Sequence, residues 1–312
     1  ENRRTARQFR RRFAEGGVTM PAERTVLVTG ATGNQGGAVV DHLLASDAEF
    51  DVRGLTRDAD GDAARALADR GVTMVEGDLN DEESFRSHVA DVDAVFAVTN
   101  FWTQGYDAQV RQGENLAEVA DEEGIEHFVY SGVGSHERDT GVPHFDSAWE
   151  IERRAQDLDL PMTVLQPVFF FQNFEAFAED VLEDGTVALP LEEGVSLQMV
   201  DVDDLGHAAA VAFENPDEFV GERFELAGDE KTLAETAEVL SAVTGVDVEP
   251  YHVPIEDAYD EFGEEFTVMC EWFNEVGYDA DIDALESTFG FEFTELEAYL
   301  REHGWEDKEG MA

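Results

Sequence analysis

Along the chain, short apolar runs alternate with stretches whose apolar positions recur every three or four residues. The runs read as buried strands and the stretches as helices. Thr25–Thr29 is β-branched and aliphatic, and the helical face after it carries Val39, Val40, Leu43 and Leu44. Phe50–Thr56 reads as the second strand, Ala63–Arg70 as a helix and Val72–Glu76 as the third strand. A helix starts at Asp81, Ala94–Val98 is the fourth strand, and a long helix covers Tyr106–Glu123. His127–Tyr130 is the fifth strand, Pro143–Glu152 opens a helix, and Leu160–Gln166 is the sixth strand. This alternation predicts an α/β fold with a doubly wound parallel sheet covered on both faces. From Phe174 the pattern is mixed. It gives an amphipathic helix over Phe174–Leu182, strands at Thr186–Leu189 and Ser196–Val200, a helix over Asp203–Phe213, a strand near Arg223–Leu226, and later helices. The remainder reads as a smaller mixed α/β substrate lobe, too short and irregular for a second independent core.

Between the first strand and the first helix stand Gly30, Gly33 and Gly36. A strand, a glycine turn and a helix bring backbone N–H groups and a helix N-terminus to one place, which suits a pyrophosphate. Gly30 permits the turn, Gly33 lets a phosphate approach, and Gly36 lets the helix pack close. The whole turn, with Ala31, Thr32, Asn34 and Gln35, is therefore a candidate dinucleotide contact; a purely structural glycine turn is the alternative. Arg57 ends the second strand, where an arginine suits a ribose 2′-phosphate and an acid the free 2′-hydroxyl. Asp58 follows it, and the reading favours NADP(H) over NAD(H). Asp78, in the loop after the third strand, is placed to accept from an adenine amino group, or else caps the next helix. Thr99, Asn100, Phe101 and Trp102 stand at the fourth strand's tip, facing the crevice where open α/β sheets bind ligands. Ser131 ends the fifth strand, as a partner for a substrate carbonyl or as a strand cap.

Charge changes the picture of the surroundings. The chain holds 72 acidic and 20 basic residues, a net charge of −52, with acidic runs spread along its 312 residues. Apolar periodicity and 22 phenylalanines argue against disorder. The reading is a folded protein of a high-salt cytoplasm, where screening over about 3 Å at 1 M salt removes self-repulsion. Such a surface repels nucleic acid and anionic membranes, and no segment has the 18 consecutive apolar residues of a membrane span. The single cysteine, Cys270, excludes an internal disulfide and reads as a buried small hydrophobe. The eight histidines show no metal-ligand spacing. Residues 1–24 stand apart, with seven arginines. They read as a disordered basic extension upstream of a natural start at Met20, with a nucleic-acid arm as the alternative.

Thr29-Gly-Ala-Thr-Gly-Asn-Gln-Gly-Gly37, Leu55-Thr-Arg57, Gly77-Asp-Leu79, Val98-Thr-Asn-Phe-Trp102, Val129-Tyr-Ser-Gly132, His144-Phe-Asp146, Gln166-Pro167 with Phe170 and Asn173, and Val202-Asp-Asp-Leu-Gly206 occur in this order. Together they resemble the NmrA-like family of atypical short-chain dehydrogenases. The resemblance implies one NAD(P)-binding domain over 25–312, with a Rossmann core at 25–173 and mainly a C-terminal lobe over 174–312. It implies NADP(H) along Gly30–Gly36, Arg57, Asp78, Leu79, Thr99, Asn100, Phe101, Ser131 and Pro167. The family holds NAD(P)H-dependent oxidoreductases and dinucleotide-binding regulators or redox sensors.

One departure bears on chemistry. Short-chain dehydrogenases use Tyr-x-x-x-Lys, in which the lysine lowers the tyrosine pKa and the tyrosine transfers a proton. By resemblance those positions are His144 and Ala148 here. His144 is the one weak catalytic candidate, and without a visible partner it reads first as a helix cap or ribose contact. The leading expectation is a redox-sensing or regulatory NADP(H)-binding protein acting through its conformation or a protein partner. The alternative is an NAD(P)H-dependent oxidoreductase passing hydride directly to a quinone-like or other small apolar acceptor. For the latter, Phe101, Trp102 and the run Phe169–Phe174 supply an apolar pocket, or else form the core between sheet and lobe.

Overall fold

The computed structural model describes residues 24–306. The expected basic extension lies outside the described residues apart from Arg24, which opens the first strand.

The first half alternates as the pattern requires: β1 (Arg24–Val28), α1 (Asn34–Ala45), β2 (Phe50–Thr56), α2 (Asp62–Asp69), β3 (Thr73–Glu76), α3 (Glu82–Ala90), β4 (Ala94–Ala97), α4 (Tyr106–Glu123), β5 (His127–Ser131), α5 (Pro143–Asp157) and β6 (Met162–Pro167). The second half holds β7 (Phe169–Phe170), β8 (Thr186–Leu189), β9 (Ser196–Val200), α6 (Val202–Glu214), β10 (Arg223–Leu226), β11 (Asp229–Thr232), α7 (Leu233–Thr244), β12 (Glu249–His252), α8 (Ile255–Glu261), α9 (Glu264–Glu275), α10 (Ile282–Phe289) and α11 (Leu296–Glu302). The main sheet has seven parallel strands in the order β10-β6-β5-β4-β1-β2-β3, a Rossmann-type arrangement.

Side-chain alternation along these strands builds two cores. Val26, Val28, Ala94, Phe96, Val129 and Leu165 point to one face, under α1 and α6. Leu27, Val95, Phe128, Tyr130 and Val164 point to the other, under α3, α4 and α5. Covering both faces is what gives the central strands their unbroken apolar runs.

The chain returns to this sheet after it has left it. α6 lies on α1, and a Cβ on Gly206 would fall 2.6 Å from the carbonyl carbon of Ala38. β10 then pairs with β6, Phe224 beside Leu165. The sheet thus takes a strand from beyond residue 174, in the stretch that the sequence reading gives mainly to the lobe.

The lobe also has a core of its own, which length and irregularity argued against. Phe171, Phe174, Val187, Leu197, Leu240, Trp272, Tyr299 and Trp305 form it, with Val142 and Phe145 from the start of α5. Each fully buried phenylalanine contributes about 1.5–3 kcal/mol. The expected α-helix at Phe174–Leu182 is instead a 3₁₀ segment, Phe171–Phe177, followed by a wide turn over Asp180–Asp184. Phe171, Phe174 and Phe177 recur every third residue, and a 3₁₀ helix stacks i and i+3 on one face. All three therefore reach the lobe core.

Candidate functional site

Thr29 extends β1 with its side chain. Its N–H donates to Phe96 (3.0 Å), and its hydroxyl donates to the Val98 carbonyl (3.1 Å) and accepts the Val98 N–H (2.8 Å). Gly30 then turns at φ +59°, and the Gly33 N–H donates back to its carbonyl at 2.8 Å. α1 starts at once, against that turn.

No side chain caps α1, and its first turn holds no acid. Each of α2 to α11 carries at least one carboxylate there. Carboxylates settle at helix starts because the open N–H groups and the dipole attract negative charge. Among the labelled helices, α1 alone leaves that attraction to an anion from outside the chain.

Two hollows flank the start of α1, one reaching Gly33 and the other Gln35. One, of about 280 Å³, is lined by Gly30, Thr32, Gly33, Arg57, Asp78, Leu79 and Asn100. The other, of about 520 Å³, is lined by Gln35, Trp102, His144, Pro167, Phe170 and Phe266, with further apolar residues of the lobe. Ser131 donates to Gln35 Oε1 at 2.7 Å and ties the tip of β5 to α1. A larger hollow, about 840 Å³, lies at the amino ends of β1, β4 and β5, beside Arg24, Ala94 and His127. Burial there lowers the His127 pKa to about 4. That is the end of the sheet opposite to where α/β folds bind ligands.

Arg57 is exposed at the lip of the first hollow and forms no ion pair among the described residues. Asp58 is spent locally, its carboxylate accepting the Asp60 N–H at 3.1 Å in a turn before α2. Asp78 Oδ1 accepts from the Asn80 N–H and Nδ2, both at 2.9 Å. Those bonds, with a smaller contribution from Arg57, hold its pKa below the usual carboxylate value. Asn100 accepts from the Thr103 N–H (3.1 Å) and caps a one-turn helix, Phe101–Gln104. Leu79 gives its carbonyl to Asn115 Nδ2 at 2.7 Å.

Other candidates take supporting positions. Ala31 is buried under the turn. Asn34 and Gly36 lie in α1's first turn and line neither hollow. Thr99 accepts from Gln109 Nε2 (3.2 Å), and Gln109 Oε1 accepts from the Ser147 hydroxyl (2.5 Å), so β4's tip is linked to α5. Phe101 stacks at a tilt on His144, 5.7 Å between ring centres. The aromatic run divides: Phe169 and Phe170 line the second hollow, while Phe171 and Phe174 are fully buried in the lobe.

The reading of His144 as partnerless is corrected. Its Nδ1 meets Glu265 Oε1 at 2.5 Å, and its backbone N–H donates to the same oxygen at 3.0 Å. Glu265 lies 121 residues away on α9, a partner that folding alone brings close. Ala148 is buried, and its carbonyl accepts from the Tyr130 hydroxyl at 3.2 Å.

A sequence profile of the NmrA-like family matches residues 22–306. The chain belongs to the NmrA-like family. Its relatives include an NmrA-like domain-containing protein of Dictyostelium discoideum, 30% identical over 81% of this chain and 88% of that one. An NAD(P)H azoreductase of Xenophilus azovorans is 32% identical over 75% of this chain and 78% of that enzyme. Among solved structures, an NADPH-dependent quinone oxidoreductase of Escherichia coli, complexed with NADPH, superposes with TM-score 0.80 at 22% identity. That match covers 89% of this chain and 99% of the other. The negative transcriptional regulator NmrA, in complex with NADP, gives TM-score 0.75 at 20% identity over 90% and 95%.

The site residues that the sequence reading missed are Glu265, which meets His144, and the lobe residues Phe262, Phe266 and Met269, which line the second hollow. Only the acidic, aromatic start of α9 hints at them in the sequence. Cys270, on the same helix, is buried, with a thiol pKa pushed up to about 12 by desolvation. Among the described residues no helix is long and apolar enough to cross a membrane, and no cluster of three or more ligating side chains offers a metal site.

Proposed function

We propose that this NmrA-like protein binds NADP(H) along the glycine turn and reduces a small, flat, apolar acceptor held in the aromatic hollow. The observation that carries the reading is α1. In a chain of 72 acids its start is left uncapped and free of carboxylates, beside an arginine without an ion-pair partner among the described residues. The residues fit a dinucleotide. Gly30–Gly36 offer backbone N–H groups to a pyrophosphate, and Arg57 suits a 2′-phosphate better than Asp58, which is occupied. Asp78, Leu79, Thr99, Asn100, Phe101, Ser131 and Pro167 follow the adenosine-to-nicotinamide course that the family pattern implies. A bound reduced nicotinamide supplies hydride. The hollow lined by Gln35, Pro167, Trp102 and Phe170 offers the acceptor an apolar site beside it. The azoreductase and quinone oxidoreductase relatives support this class of acceptor.

A second reading, a redox-sensing or regulatory dinucleotide binder, draws on Ala148, which removes the lysine of the Tyr-x-x-x-Lys pair. The acid surface supports a working place in a high-salt cytoplasm. One experiment separates the readings: NADPH affinity by calorimetry and NADPH oxidation against quinone and azo acceptors, both in molar KCl. Binding with turnover supports the reductase, and binding without turnover on any acceptor supports the regulator.

A further inference from the structure

The starts of α5 and α9 face each other across the aromatic hollow. α5 lacks a side-chain cap of its own and begins with Pro143. Glu265 supplies the acceptor from the other lobe, and its Oε1 takes both the His144 N–H and the Nδ1. Two contacts from one oxygen fix the ring's position, and an ionised Glu265 carboxylate, which can only accept, favours a proton on Nδ1. Nε2 is left without a hydrogen-bond partner among the described residues, on a ring that lines the hollow. Phe101, Trp102 and Phe145 hold the ring at centroid distances of 5.7, 5.2 and 4.7 Å. A cap needs no imidazole, and an imidazole held this way has one nitrogen free for chemistry.

We infer that His144 donates a proton from Nε2 to the acceptor, and that Glu265 is its positioning residue. The inference rests on the reductase reading and deepens it. The acceptor is a conjugated molecule with two reducible heteroatom positions, such as a quinone or an azo compound. It takes a hydride from the reduced dinucleotide and one proton from His144. A quinone gains two electrons and one proton with the hydride, and its remaining oxyanion takes the proton from Nε2–H to give the hydroquinone. An azo N=N bond becomes HN–NH by the same count. His144 enters the step as an imidazolium, with Nδ1–H on Glu265 and Nε2–H on the acceptor, and ends neutral, still donating through Nδ1 to Glu265. It regains the Nε2 proton from solvent at the mouth beside Trp102, which is 65% exposed.

An acceptor that needs no proton makes the test specific. A cationic triarylmethane dye takes hydride on carbon and is complete. Steady-state rates in molar KCl are measured for the wild type, His144→Gln, Glu265→Ala and Glu265→Gln, with a quinone and with such a dye. General acid help is worth about 10²–10⁴-fold. The expected result is a kcat loss on quinone about 10²-fold greater than that on dye for His144→Gln. Glu265→Ala lowers quinone kcat with little change in KM, and Glu265→Gln, which keeps an oxygen at that place, restores part of it. The wild-type kcat on quinone varies with pH, and His144→Gln flattens that profile. Equal losses on both acceptors overturn the proton-donor role while leaving a reductase. No turnover of either acceptor by the wild type overturns the reductase reading itself. A readout without cofactor stands beside these: ¹⁵N spectra of the imidazoles. They are expected to show His144 protonated on Nδ1 in the wild type and without that preference in Glu265→Ala. The same tautomer mixture in both proteins overturns the positioning role.

Discussion

Gly36 and Gly30 approach so closely that no side chain fits between them. A Cβ on Gly36 would lie 2.3 Å from the Gly30 carbonyl oxygen and 2.5 Å from its carbon. Both obstacles are backbone, so they cannot swing away. Gly36→Ala should cost about 1–3 kcal/mol of stability, as overpacking does, and weaken NADPH binding at least about tenfold by pushing α1 off the turn. Gly37 is the control, since its Cβ would meet nothing nearer than 3.7 Å. Gly37→Ala should be neutral or stabilising by up to about 1 kcal/mol. Denaturant midpoints and calorimetry read both; equal behaviour of the two variants would refute the argument.

Arg57→Ala should weaken NADPH far more than NADH, because only NADPH carries the 2′-phosphate. A hydrogen bond to a charged group contributes about 1.5–3 kcal/mol, so the loss is roughly 10- to 150-fold. Equal losses for both cofactors would show that Arg57 does not read that phosphate.

Asp204 gives the fold a pH dependence of unusual sign. Burial is the main cause, and with smaller help from Asp201 and Asp203 it lifts this carboxyl to about 7. The Thr294 N–H (2.8 Å) and hydroxyl (3.1 Å) oppose it. A carboxyl raised on folding contributes its stability fully below its unfolded value near 4 and loses it as pH rises through about 7. Asp204→Asn, neutral throughout, should flatten the fall in stability between about pH 4 and 7. Urea midpoints at constant KCl test this, and parallel pH curves for the two proteins would count against it.

Dilution should unfold the chain. Net charge −52 repels itself once screening is withdrawn. Circular dichroism from molar KCl down to millimolar buffer is expected to lose its helical signal. A native spectrum at the end of that series would rule out adaptation to salt.

What the sequence made legible was local. β2 and α4 fall on their expected residues, because a strand bounded by polar turns and a long 3.6-period helix need no outside information. The glycine turn is legible for the same reason, since turn, strand and helix are adjacent in the chain. Glu265 was illegible because its meaning lies in His144, 121 residues away. Phe171, Phe174 and Phe177 misled because spacing by three fits two kinds of helix, and the lobe core chose the tighter one. β10 was found as a strand but assigned to the wrong layer, because an edge strand of four residues carries no mark of its neighbour.

That late edge has a consequence for how the protein is made. On a ribosome, the sheet and its helices cannot be finished when β6 emerges. The apolar side of α1 waits for α6, and the open edge of β6 waits for β10. Until residue 226 has left the exit tunnel, the nascent chain offers a bare strand edge and an uncovered apolar face, the features that invite association with other chains. A fragment ending at 173 would stay in that state permanently. The length of that exposure during synthesis then sets how much of the chain is lost to aggregation before it can fold.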